Sequence, residues 1–203
     1  APNISNATFT NNATSGSDAD SPNGQGGTLY IAEGTTILTD VAINTSSSHV
    51  VGGAIATTQH LNGTNLDITD ATSSGDGGGI YASGSDLTLL NSDFLRCGSG
   101  DDGGAIYLGS STSLSMTNGS IIGTSATDDA DDDGGGIRFT GQTDHLLTSV
   151  TFQDLAANDM GGALDIRDDA VVTVTGSSFT DISSGNQGGC VRVEGTSGRL
   201  NVT

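Results

Sequence analysis

The chain has 203 residues, one third of them hydrophobic, with 32 Gly and no Trp. That is room for one domain, but a compact sandwich or helical bundle would want more apolar mass. Twenty-four acidic residues against five Arg and no Lys give a net charge of −19, which argues against nucleic acid and anionic membrane as partners and fits a salty or calcium-containing exterior.

The first element along the chain is an aliphatic residue followed five positions later by a large apolar one, Ile4/Phe9. Next comes a Gly-Gly pair, one small residue and an aliphatic, in GGTLYI. The two units then alternate. Leu38/Ile43 precedes GGAIAT, and a poorly fitting coil around Ile68, with Ala71 as its nearest apolar residue, precedes GGGIYA. Leu89/Phe94, Met116/Ile121, Leu147/Phe152 and Val174/Phe179 are followed in turn by GGAIYL, GGGIRF, GGALDI and GGCVRV. The seven anchors Leu29, Ile55, Ile80, Ile106, Ile137, Leu164 and Val191 recur every 25 to 31 residues. Such a period means stacked supersecondary units rather than a globule with one centre. No stretch keeps a 3.6-residue period, and no apolar run reaches membrane-spanning length. No signal peptide is visible, so a secretory segment is either removed or not included.

After each Gly-Gly the apolar residues alternate, as in Leu29 and Ile31 or Val191 and Val193, which predicts a strand with those residues inward. The residues between them form an outward column: Tyr30, Ala56, Tyr81, Tyr107, Arg138, Asp165, Arg192. Stacked in register at about 4.8 Å, this column predicts a Tyr81–Tyr107 stack and an Arg138–Asp165–Arg192 charge ladder. Four of the five Phe fall in the second apolar column and predict an internal aromatic stack. The polar stretch before each Gly-Gly is a turn, and the two Gly allow a tight corner with positive φ. The expected fold is all-β: a right-handed parallel β-helix (solenoid) of about seven coils, a single domain over 1–203, uncapped at both ends.

GGAIY and GGGIY, spaced by a block of the form L-T-L-x-N-S-x-F, resemble the repeats of polymorphic outer-membrane proteins and related pectin-lyase-like secreted proteins. The pattern covers nearly the whole chain, while the second hallmark of those repeats, FxxN, occurs once, at Phe9 and Asn12. The resemblance implies a right-handed β-helix used for adhesion or surface structure, and it brings no catalytic site with it.

The acidic turns are the strongest chemical candidates. Asp18 and Asp20, Asp76, and Asn158 with Asp159 precede Gly-Gly pairs. The densest groups are Asp101 and Asp102, then Asp128, Asp129, Asp131, Asp132 and Asp133. Carboxylates at this density invite hard cations, so these seven are candidate calcium ligands. Their spacing matches neither an EF-hand nor the GGxGxD calcium repeat, and a solvated acidic edge is the competing reading. Calcium is the one cofactor these residues suggest.

Pectate-lyase-like chemistry needs a basic residue beside such a cluster. Lys is absent, the ladder takes up Arg138 and Arg192, and His49, His60 and His145 share no column with the acidic turns, so a non-enzyme is expected. Tyr81 and Tyr107 read as a structural pair before a sugar platform. Cys97 and Cys190 lie more than three coils apart, beyond disulfide reach, and Cys190 fills a small-residue slot as a packed thiol. An ice-binding face would need a regular Thr array, and the Thr residues look scattered.

Seven Asn-X-Ser/Thr sequons, at Asn3, Asn6, Asn12, Asn44, Asn62, Asn118 and Asn201, suggest a secreted or cell-surface glycoprotein carrying N-linked glycans. Asn3-Ile4-Ser5 and Asn201-Val202-Thr203 occupy equivalent positions, with a bare coil at each end. A bare coil exposes apolar side chains and open backbone groups. Two readings follow: a structural subunit that stacks head to tail on itself into an extracellular filament, or a fragment of a longer β-helical adhesin. The self-assembly interface would be Ile4, Phe9, Leu29 and Ile31 at one end, and Phe179, Val191, Val193, Leu200 and Val202 at the other.

Overall fold

The structure, a computed structural model, describes residues 1–16, 24–126 and 131–203, so Asp18, Asp20, Asp128 and Asp129 lie outside the described residues. Every described element is a strand, and every strand pairing is parallel. The seven Gly-Gly copies lead into seven three-residue strands, from Leu29–Ile31 to Val191–Val193, which form one seven-stranded sheet in chain order. The segments between them form a thirteen-stranded sheet. The molecule is therefore a parallel β-solenoid of about six turns, with seven rungs bounding the six, where the sequence suggested about seven coils.

The alternation after each Gly-Gly has the expected register: Tyr30, Ala56, Tyr81, Tyr107, Arg138, Asp165 and Arg192 pair in that order from rung to rung. Inward residues such as Ile55, Ile80, Ile106, Ile137 and Leu164 are fully buried and join one continuous core. Leu38, Leu89, Met116, Leu147 and Val174 form a second inward column with Gly63. This resolves the coil around Ile68. Ile68 is the second member of its pair, aligned with Ile43 and Phe94, and the first member is Gly63. The space that Gly63 leaves is taken by Leu89 and Leu66, whose side-chain carbons would lie 3.0 and 3.1 Å from an added Cβ. The expected aromatic stack is shorter than four rings. Phe152 and Phe179 are the stacked pair, 4.7 Å between centroids, while Ile43, Ile68 and Ile121 separate the other members.

Two bends wrap each long strand around the core, and each is a column of left-handed residues. The first runs Asn6, Asp40, Asn65, Asn91, Asn118, Ser149 and Gly176, all with φ between 50° and 59°. The second lies five positions on, with Asp70, Arg96, Gly123, Asp154 and Asp181 among its members. Asn and Asp tolerate this conformation because their short polar side chains bond locally. Here they bond along the axis: Asn65 Nδ2 donates to Asp40 Oδ1 at 2.6 Å, and Asn91 Nδ2 to Asn65 Oδ1 at 3.3 Å. The repeated aliphatic-x-Asn/Asp spacing in the sequence is the mark of this corner.

The Gly-Gly pair does two jobs rather than one. Gly103 has φ of 67° and makes the corner. Gly104 has no such constraint, but a Cβ there would stand 2.2 Å from the Gly135 carbonyl oxygen, so close backbone approach between rungs requires it.

Candidate functional site

The charged residues of the Gly-Gly sheet converge on one buried network. The residue before each Gly-Gly corner forms its own column, in which Asp76, Asp102 and Asp133 are consecutive. Each carboxylate accepts from the backbone of the next rung: Asp76 from Asp102 N at 3.3 Å, Asp102 from Asp133 N at 2.9 Å, and Asp133 from Met160 N at 2.9 Å. Outward-pointing Arg138 reaches across to this column, with Nη1 2.6 Å from Asp102 and 2.8 Å from Asp133.

Arg167, one corner further on, pairs with Asp133 and lies 2.7 Å from Asp165. Arg192 lies 3.2 Å from Asp165 and also pairs with Glu194. Asp165, with 0% exposure, thus sits among three guanidinium groups, the third being Arg138 at 3.7 Å. The expected Arg138–Asp165–Arg192 ladder exists as part of this wider network. Its neighbours in the same column are Tyr81 and Tyr107, stacked with centroids 5.3 Å apart and rings 5° from parallel.

Electrostatics divide the network into two ends. Around Asp165, cations and anions are interleaved. Asp76, on the tyrosine side, has burial and the neighbouring Asp102 and Asp101 against it, with Arg138 the only opposing cation, and its carboxyl is pushed up to about 7. Burial likewise pushes Asp102 up to about 6, against the pull of Arg138, and raises Asp133. Tyr107 is pushed up to about 12, first by burial and then by Asp76. The arrangement can hold protons near neutrality and can cement rungs together.

Of the candidate calcium ligands, Asp102 and Asp133 are brought together, but against arginine. Asp132 is buried, while Asp101 and Asp131 are exposed. Among the described residues, no group of three or more His, Cys, Asp or Glu is placed to hold a metal ion. Asp128 and Asp129 lie outside the described residues. His145 is buried, and burial lowers it to about 4; its Nδ1 accepts from Leu114 N at 3.2 Å, and its ring meets Phe139 edge-on. His60 pairs with Asp86 on the surface. Cys97 and Cys190 are free thiols, with Cys97 buried and pushed up to about 12.

The sequons have an architectural pattern. Asn6 and Asn118 are left-handed corner residues, while Asn3, Asn62 and Asn201 fall in one outward column of the large sheet. Asn12 is half-buried, and its side-chain nitrogen is enclosed without a hydrogen-bond partner. In a glycosylating host, peptide mass spectrometry should therefore find glycan at exposed Asn118 and none at Asn12; occupancy at Asn12 would contradict this placement.

The threonines are not scattered. Two residues from the Asn62 column lies a second outward column, in which Thr39, Thr64, Thr117, Thr148, Thr175 and Thr203 align, interrupted by Leu90. Thr39, Thr117, Thr148 and Thr175 directly follow Leu38, Met116, Leu147 and Val174, so the aliphatic pairs carry this alignment in the sequence.

The end-rung residues sit as the register requires. Ile4, Phe9 and Leu29 at one end, and Phe179, Val191 and Leu200 at the other, are only partly buried against the core. Val193 is 43% exposed and Val202 72%. Ile31 departs from the expected set: at 7% exposure it is core. An apolar cavity of about 300 Å³ opens among Val174, Phe179, Val191, Leu200 and Val202.

Compared with known proteins, the chain matches no family model, no curated protein and no solved structure.

Proposed function

We infer that this chain is a structural, non-enzymatic β-solenoid of an extracellular filament, in which copies stack head to tail through their end rungs. The observation that carries the reading is the apolar register of those rungs. Phe179 ends the column that Phe9 begins, and Val191 ends the column that Leu29 begins, so each end offers the other the next layer of one core. A Phe9 ring laid over Phe179 would extend the Phe152–Phe179 stack into the cavity. In the outward column, Tyr30 of one copy would cover the Arg192 guanidinium of the next, a cation–π contact. The arginine–carboxylate network ties the rungs nearest that joint. The likeness of the GGAIY repeats to polymorphic outer-membrane proteins, the acidity and the exposed sequons Asn6 and Asn118 support a secreted or cell-surface setting.

One geometric point favours a second reading. A copy stacked without a gap would set its Ala1–Ser5 strand on the positions of Arg199–Thr203, so one of these two short strands must yield. Further rungs of a single longer polypeptide, as in a β-helical adhesin, would meet no such conflict. Negative-stain imaging of the purified chain separates the two. Rods much longer than one protomer support the filament, and dispersed stubs at high concentration leave the longer β-helix.

A further inference from the structure

We propose that the two outward columns containing Thr64 and Asn62 form a face that binds ice. The columns run the length of the solenoid. Beside the six threonines and Leu90 stand Ile37, Asn62, Thr88, Ser115, Leu146 and Thr173. In a chain of net charge −19, neither column holds a charged residue from the first rung to the last. Three of the few exposed large hydrophobics, Ile37, Leu90 and Leu146, lie on this face. Thr39, Thr64, Thr117 and Thr148 are partly exposed, and their hydroxyls make no hydrogen bond to another described residue.

The chemistry selects the occupant. In-register parallel rungs repeat every ~4.8 Å, and residues two apart on a strand stand ~6.7 Å apart, which together define a ruled two-dimensional array. Rows of water oxygens in ice repeat at nearly the rung spacing. A threonine offers such a row a methyl group, which water cages without penetrating, and a hydroxyl, which anchors the cage. Charge would disrupt it, and charge is absent. A polysaccharide surface would call for aromatic platforms, and neither column contains an aromatic residue.

The test is partition of the full chain, made in a host that adds no glycan, into slowly grown ice; a glycan on Asn62 would stand in the face. The wild-type chain is expected to concentrate in the ice and to slow recrystallisation. Thr64→Glu and Thr148→Glu, made separately and checked by circular dichroism, should each lower the partition ratio at least about tenfold, because pressing a carboxylate against ice costs more than the ~1.4 kcal/mol that factor represents. Thr180→Glu, on the neighbouring face, should partition as wild type does. A wild-type chain left in the liquid, folded Glu variants that still enter ice, or retention on crystalline cellulose without entry into ice would each overturn the proposal.

Discussion

Replacing Asp165 with Asn is expected to lower the melting temperature by about 10 °C. Asp165 is fully buried among Arg138, Arg167 and Arg192. Removing its charge leaves these guanidiniums with Asp102, Asp133 and Glu194 alone. Losing one partner of a buried ion pair costs about 3–5 kcal/mol, mostly as the penalty of the charge left behind. For a domain of this size each kcal/mol moves the midpoint by roughly 2–4 °C. Each rung of a solenoid contacts only its neighbours, so the loss should appear first as fraying of the rungs after Asp165, with the rungs before Tyr81 holding longer. Hydrogen exchange resolved along the chain reads this directly. The contrast is Asp70→Asn, which breaks the pair between Asp70 and Arg96, 2.6 Å apart at the surface. Exposed pairs contribute at most about 1 kcal/mol, so that variant should melt within a few degrees of wild type.

The second large effect depends on pH. Asp76 titrates near 7 and Asp102 near 6 in the folded chain, both above the ordinary 3.8, with burial as the leading cause. The folded state therefore binds more protons than the unfolded state between about pH 4 and pH 7. Stability contributed by these protons is fully present below about pH 4 and is lost as pH rises through about 7. Thermal melts should show a falling midpoint across that window. Asp76→Asn keeps an oxygen to accept from Asp102 N and removes the charge. It should stabilise the chain on the order of 2 kcal/mol at pH 8 and change little at pH 4. A wild-type midpoint that rises between pH 4 and 7, or a variant that gains as much at pH 4 as at pH 8, would show that this column does not hold protons near neutrality.

The Gly-Gly rungs were legible in the sequence because their spacing within each copy is fixed, so the register of Tyr81 on Tyr107 and of Arg138 on Asp165 could be read by aligning the copies. The buried network required partners from different columns. Arg167 joins the network only because a corner follows Ile166, and Asp76, Asp102 and Asp133 looked like free turn carboxylates until their backbone partners one rung on were visible. The left-handed corners carry a readable signal, Asn or Asp two residues after the first member in five of the seven pairs. Read as glycosylation signals, Asn6 and Asn118 concealed it. The threonine column follows the first members of those same pairs one residue on, whereas Gly63 is hidden because a glycine stands where the other coils carry an aliphatic residue.

Sedimentation velocity of the wild-type chain beside Val193→Asp tests whether the end rungs of one copy continue the core of the next. Val193 lies in the last Gly-Gly rung and is 43% exposed, so a charge there should not unfold the coils, and circular dichroism should be unchanged. A concentration-dependent series of rods is expected for wild type and a single monomer boundary for the variant. A wild-type chain that stays monomeric at every concentration, or a folded variant that assembles equally well, would contradict head-to-tail stacking.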